Sequence, residues 1–137
     1  MTPKQYLSQI RRLEWAIYLN QEAIDRTRAR LDLKGISYDR DRVQSSPADA
    51  TPELIERLIN LETVTEQRRA KLDDLINTIV DQITGMDDII DQKILYAHYI
   101  KGKTLGLISE EMHYSYDRIK HRHGTALQLF EKKYGPF

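Results

Sequence analysis

The stretch Ile94–Phe130, ILYAHYIKGKTLGLISEEMHYSYDRIKHRHGTALQLF, decides how this chain is read. It parses as a helix closed by Lys101-Gly102, then a short helix capped by Thr104 with Leu105, Ile108 and Met112 inward. His113-Tyr114 turns the chain, and Ser115 caps a longer last helix. That helix keeps Ile119, Ala126, Leu127 and Phe130 inward and ends before Gly135-Pro136. A short helix, a tight turn and a longer helix bearing Arg118, Lys120, His121 and Arg122 form the helix-turn-helix pattern, whose last helix enters DNA.

With Ile119 and Ala126 fixed in the core, Tyr116, Asp117, Lys120 and His121 point outward near the start of the last helix, and Arg118 and Arg122 flank them. These residue types reach phosphates and base edges: Lys and Arg pair with guanine, and hydroxyls bind phosphate. Lys103 and Thr104 open the preceding helix, whose N-terminus suits a phosphate. The expected DNA-contacting set is Lys103, Thr104, Ser115, Tyr116, Asp117, Arg118, Lys120, His121 and Arg122. The competing reading is an ordinary solvated face on a trihelical protein-binding domain.

Working outward, Thr2-Pro3 is a cap followed by Pro at the first helical position. Apolar positions follow at Tyr6, Ile10, Leu13, Ile17, Ile24 and Leu31. Asn20 and Thr27 complete an alternating three-and-four seam that runs to about Lys34-Gly35. Thr51-Pro52 repeats the start signal. A second seam then runs Leu54, Leu58, Leu61, Thr65, Arg68, Leu72, Leu75, Ile79 and Gln82, stopping near Gly85. Each helix spans about 32 residues, or about 48 Å at 1.5 Å per residue. Equal lengths around one loop predict an antiparallel hairpin over 1–85 with Asn20 near Thr65, although such seams also pair between chains. A helix-turn-helix domain over 86–137 follows, with Asp87 and Asp88 as caps for its first helix. The expected fold is thus all-α: a long helical hairpin, then a C-terminal trihelical domain.

Leu7, Trp15 and Tyr18 form a second strip on the first helix, lying within about 80° of each other and away from the seam. Either the chain's own C-terminal helices cover it, or it is a homodimer contact. The polar segment Ile36–Ala50 reads as a loop longer than most connections, with Arg40, Arg42 and Val43 as a candidate binding tip or simply a turn.

Composition bounds the classes. The chain has 137 residues, 31% of them charged, with two Phe and one Trp, which suits a helical, surface-rich protein more than a thick core. Its 21 basic residues balance 21 acidic ones, so no global field draws it to nucleic acid, and a local basic face must do so. There is no cysteine, which fits a reducing cytosol. The N-terminus carries Lys4, Arg11, Arg12 and Glu14 and reads as neither signal peptide nor membrane span.

Catalytic and metal readings fare worse. Glu53-x-x-Glu56 and Asp88-x-x-Asp91 each put two carboxylates on one helix face, as Mg²⁺-dependent all-α pyrophosphohydrolases do. Yet the first pair lies in a first turn that favours acids anyway, and Asp88 is a cap. Neither pair has a basic cluster placed beside it, and the chain is read as a non-enzyme without cofactor. Among His98, His113, His121 and His123, the last two point about 200° apart on a helix and cannot share an ion, so no metal site is expected. Tyr96, Tyr99, Tyr114 and Tyr134 are expected to fill the small core with wet hydroxyls.

The segment Ile94–Phe130 resembles the region-4 helix-turn-helix of sigma factors at Tyr99, Gly102, Thr104, Ile108, the Met112–Ser115 turn, Ile119 and Ala126. The whole chain, including Asp41-Arg42-Val43-Gln44-Ser45-Ser46-Pro47, is similar to the ArpU/RinA-type late-gene transcription regulators of phages and prophages of Gram-positive bacteria. That resemblance implies a cytoplasmic protein of the bacterial host that reads double-stranded promoter DNA, with RNA polymerase or a second subunit meeting the helical mount. One departure is Gly106 inside the short helix, where relatives of the motif carry an acidic or polar residue; glycine there costs about 1 kcal/mol relative to Ala. Two further readings stand beside the regulator: a protein-interaction adaptor that no longer touches DNA, and a small-terminase-like packaging subunit.

Overall fold

Thr2 and Gln5 start the first helix by reciprocal bonds. The Gln5 N–H donates to Thr2 Oγ1 (3.1 Å), the Thr2 N–H donates to Gln5 Oε1 (2.9 Å), and Pro3 takes the first helical position. The computed structural model describes residues 1–33 and 50–137. Its elements are α1 (Pro3–Leu7), α2 (Gln9–Leu33), α3 (Ala50–Thr84), α4 (Ile89–Leu95), a π-helical turn (Tyr96–Ile100), α5 (Leu105–Met112) and α6 (Tyr116–Tyr134). The described residues are all-helical, with no strand and no helix long and apolar enough to cross a membrane. Ser8 barely interrupts the first rod, since its N–H donates to the Lys4 carbonyl (2.9 Å) and its carbonyl accepts from Arg12 (3.2 Å).

The expected helix stop at Gly35, the candidate tip Arg40, Arg42 and Val43, and the string 41–47 lie outside the described residues. The α3 backbone begins at Ala50, so Thr51 stands inside the helix rather than at its cap position. Pro52 is tolerated there because the first-turn N–H groups have no intrahelical partner.

The described chain divides into two compact units, Glu14–Lys71 and Met1–Leu13 with Leu72–Phe137. This differs from the expected division at residue 85, because the chain's first helical turns share a core with its C-terminal helices. Within Glu14–Lys71, Asn20 accepts from Arg68 (2.9 Å), Gln21 from Arg69 (3.1 Å) and Glu62 from Arg28 (2.6 Å). Asn20 and Gln21 meet Arg68 and Arg69, whereas Arg28, further along α2, meets the earlier Glu62, so the two segments run antiparallel. Between Pro52 and Lys71, the residues that avoid full exposure are Leu54, Leu58, Leu61, Thr65 and Arg68, which are the seam positions read from the sequence. Asn20 and Thr65, expected near each other, share no hydrogen bond. The buried Thr65 hydroxyl donates to its own helix at the Leu61 carbonyl (2.7 Å), and Asn20 takes the guanidinium one turn further on.

From Leu72 the covered stripe widens to include Ile76, Val80 and Ile83, as it must where several helices rather than one cover α3. The core of this second unit joins Leu7, Ile10, Ile79, Ile83, Met86, Leu95, Tyr99, Ala126 and Phe130. Leu7 is 0% exposed, so it belongs to this core and is not available to a second copy, correcting its assignment to a dimer contact. Phe137 stacks on Tyr6 (centroids 4.3 Å apart) and beside Phe130 (5.6 Å). A smaller cluster, Ile94, Ile108 and Ile119, joins α4, α5 and α6.

Two core polar groups were not anticipated as partners. The Tyr99 hydroxyl and His123 Nε2 lie 2.9 Å apart, so this tyrosine's hydroxyl is not wet as expected. His98 turns its Nδ1 to the Lys103 carbonyl (2.7 Å), which accepts only, so Nδ1 carries the proton. Burial pushes the Tyr99 hydroxyl up to about 12. Burial, then the positive charge of His98 and Lys4, pushes His123 down to about 4 from its ordinary 6.5. The folded chain therefore binds fewer protons here than the unfolded chain, and stability is lost as pH falls from 6.5 towards 4. The wild-type melting temperature should drop across that interval by on the order of 5 °C more than that of His123→Gln. Parallel pH profiles of thermal unfolding for the two proteins would remove His123 as the source.

Candidate nucleic-acid interface

Thr104 stops the chain from continuing as one helix after Gly102, whose φ of 73° turns it sharply. The Thr104 side chain accepts from the Leu107 N–H (3.1 Å), and α5 forms across Gly106 despite that residue's poor propensity. His113 then takes φ 60°, a left-handed conformation uncommon outside glycine, and hands the chain to Ser115. The Tyr114 N–H closes this corner on the Ser109 carbonyl (3.1 Å). Ser115 Oγ accepts from the Arg118 N–H (3.2 Å), opening α6 with its buried side on Ile119, His123, Ala126 and Phe130.

That setting turns Tyr116, Asp117, Lys120 and His121 outward together at the head of α6, as the spacing predicts. Among the described residues none of these four side chains is in a hydrogen bond or ion pair. Arg118 is also exposed and lies over the Tyr114 ring, 4.3 Å from its centroid, which steadies the guanidinium without removing it from solvent. The hydroxyls of Thr104 and Ser115 sit at the two helix starts as caps, with lone pairs already engaged by backbone N–H groups.

Two members of the expected set are committed elsewhere. Arg122 turns from the outward face to Asp88 (3.1 Å) and Asp91 (3.2 Å) at the start of α4. Asp91 is 3% exposed, and its charge demands a cation nearby. Lys103 pairs with Glu111 of α5 (2.8 Å) in a partly exposed ion pair. Lys120 and Arg118 are the cations of the outward face that are in no ion pair among the described residues, and Asp117 lies beside them. Asp88 is held below the usual carboxylate range chiefly by the Ile90 N–H, with Asp91 N–H and Arg122 assisting. These two carboxylates, weighed above as an Mg²⁺ pair, thus face a guanidinium instead of an open coordination site. Among the described residues no three of His, Cys, Asp or Glu gather as metal ligands would.

The sequence reading missed the rest of the outward face. Asp117, Lys120, His121, Gly124, Thr125 and Gln128 line a shallow, open depression along α6. Their three-and-four spacing was available as a signal, but it repeats the register of any solvated helix face and carried no weight alone. In the other unit, Trp15 and Tyr18 stack on each other (5.4 Å between ring centroids) while 59% and 53% exposed, with Leu19 also exposed. Glu53 and Glu56 line an open surface with Asn20, Arg57, Asn60 and Arg68.

No family model, curated protein or solved structure matches this chain. The site rests on its own geometry.

Replacing Arg122 with Met should cost stability before it affects any ligand, because Asp91 would be left buried and unpaired. The expected loss is about 2–3 kcal/mol, below the full cost for a buried pair because Arg122 and Asp88 stay partly wet. Urea unfolding measures it. A variant as stable as wild type would make this ion pair energetically idle.

Proposed function

We propose that the chain is a DNA-binding transcription regulator of the phage or prophage kind, acting in the cytoplasm of a bacterial host. In this reading α5 and α6 form a helix-turn-helix, α6 enters the major groove, and the antiparallel α2–α3 segments form a helical hairpin. The observation that carries the reading is the cluster Tyr116, Asp117, Lys120 and His121, turned outward at the head of α6 while a full core holds the opposite side. A recognition helix uses its N-terminal residues in the same way. The corrected cation count lowers the expected affinity: with Arg122 and Lys103 engaged in ion pairs, few cations remain per domain to displace counterions.

Few cations per domain favour paired domains on paired half-sites. Trp15 and Tyr18, with Leu19, supply the exposed apolar surface for a homodimer, and Leu7 no longer contributes. RNA polymerase as a further partner follows from the family resemblance alone. The chain is read as non-catalytic, consistent with the acidic pair at the start of α4 being engaged by Arg122. The ion-paired Lys103 and Arg122 also favour a runner-up from another class, a protein-interaction adaptor. A small-terminase-like packaging subunit is the variant that would form a ring of many copies.

Lys120→Glu leaves every core contact in place and should weaken binding to a mixed-sequence 30-base-pair duplex about tenfold at low salt, with the log–log salt slope reduced by about 1 or more. Fluorescence anisotropy reads both; affinity equal to wild type would transfer the reading to the adaptor. For the dimer, light scattering coupled to gel filtration should give twice the chain mass, and the Trp15→Ser/Tyr18→Ser double variant should give a monomer. A wild-type monomer would remove the paired-domain reading, and a large ring would favour packaging.

A further inference from the structure

The glycines of the C-terminal unit differ in what demands them. Gly102 holds a positive φ of 73°, a Cβ at Gly85 would strike the Tyr134 hydroxyl, and one at Gly135 would lie 2.6 Å from the Glu131 carbonyl. Gly124 has no such reason. It sits inside α6 with an ordinary helical backbone, it is exposed, and a Cβ there would meet nothing within 4 Å. Glycine is among the most costly residues at a helix interior, and among the described residues no close neighbour requires it here.

The missing side chain lies on the outward face, in the open depression it shares with Asp117, Lys120, His121, Thr125 and Gln128. None of these five side chains is apolar, so the depression suits a polar ligand better than a packed helix. Thr125 already donates its hydroxyl to the His121 carbonyl (3.1 Å), which leaves Lys120, His121 and Gln128 as donors around the bare backbone. Lys120 is one turn from Gly124, about 6 Å along the axis, whereas Asp117 and Glu131 are about 10 Å away on either side. At physiological salt a charge that far off is screened over roughly 8 Å, so the lysine dominates at Gly124. An anionic group with donors beside it and no Cβ above it can approach the helix main chain closely.

We propose that Gly124 is where the sugar–phosphate backbone of duplex DNA comes into van der Waals contact with the α6 main chain, with Lys120 and Gln128 bracketing the phosphate. The inference rests on the reading of α6 as a DNA-contacting helix and extends that contact about one turn beyond the outward cluster. It gives stability and binding opposite signs, which a merely solvated glycine would not do. Alanine or a straight-chain residue at Gly124 improves the helix and obstructs the duplex.

The test uses the full chain with Gly124→Ala and Gly124→Leu, thermal unfolding, light scattering, and anisotropy with a mixed-sequence 30-base-pair duplex, since a backbone contact carries no sequence requirement. Alanine should raise the melting temperature by about 2–5 °C and weaken duplex binding by about threefold to tenfold, and leucine should weaken it further. Variants that bind as wild type does would overturn the proposal. So would variants that melt lower than wild type, which would mean the glycine serves the chain's own packing. A change in oligomeric state with duplex binding intact would assign the bare face to another helix and overturn it equally. If wild type itself fails to bind the duplex, the DNA reading falls and takes this inference with it, an outcome recognisable because the signal is then missing before any substitution.

Discussion

The buried carboxylate of Asp91 is the constraint around which the C-terminal unit is arranged. An ionised group 3% exposed must be paired, and the start of α4 supplies only N–H groups and a second carboxylate. The cation has to come from another helix, and Arg122 provides it. The same rotation of α6 that buries Ile119, Ala126 and Phe130 brings Arg122 to α4 and leaves Lys120 and His121 outside. The ion pair and the apolar core thus agree on which residues the helix offers to solvent. The cost is a cation removed from that surface, in a chain whose charges sum to zero.

The two units use the same helices differently. Between Pro52 and Lys71, α3 hides a narrow stripe, with Thr65 and Arg68 among its members, and polar side chains there answer polar side chains. Beyond Leu72 the same helix hides a broad apolar stripe and supplies Ile79 and Ile83 to a core with Leu7, Leu95 and Phe130. A two-helix seam buries a narrow stripe in which polar layers recur; in the core shared by several helices, buried polar groups are held in specific pairs such as Tyr99 with His123. The stability of the chain is accordingly concentrated in the unit that carries α6.

Local signals were the legible part. The cap at Thr2, the stops at Gly85 and Gly102, the caps at Asp88, Thr104 and Ser115, and both seams follow from residue type and spacing, because each depends on neighbours within one turn. What needed the structure was long-range pairing. Arg122 looked like one more basic residue on a basic helix, and nothing within a turn reveals that its partners lie some thirty residues upstream. His123 was seen to point away from His121, but its bond to Tyr99 depends on the path through the π-helical turn. Leu7 was grouped with Trp15 and Tyr18 by helical angle, which is correct along one helix. It separated from them because burial is decided by which other elements arrive. Gly124 gives no signal in the sequence, because an absent side chain makes no pattern.

The stacked Trp15 has an optical consequence. It is the only tryptophan in the chain, and more than half of its surface meets water. In the folded single chain, intrinsic emission excited at the red edge of indole absorption thus comes from a solvent-facing ring, long in wavelength and quenchable by iodide. Melting of the C-terminal core passes almost unseen in that channel, since its buried rings are tyrosine and phenylalanine. A macromolecule that covers the α2 face would announce itself by a blue shift, which makes this one indole a poor reporter of folding and a sensitive reporter of company.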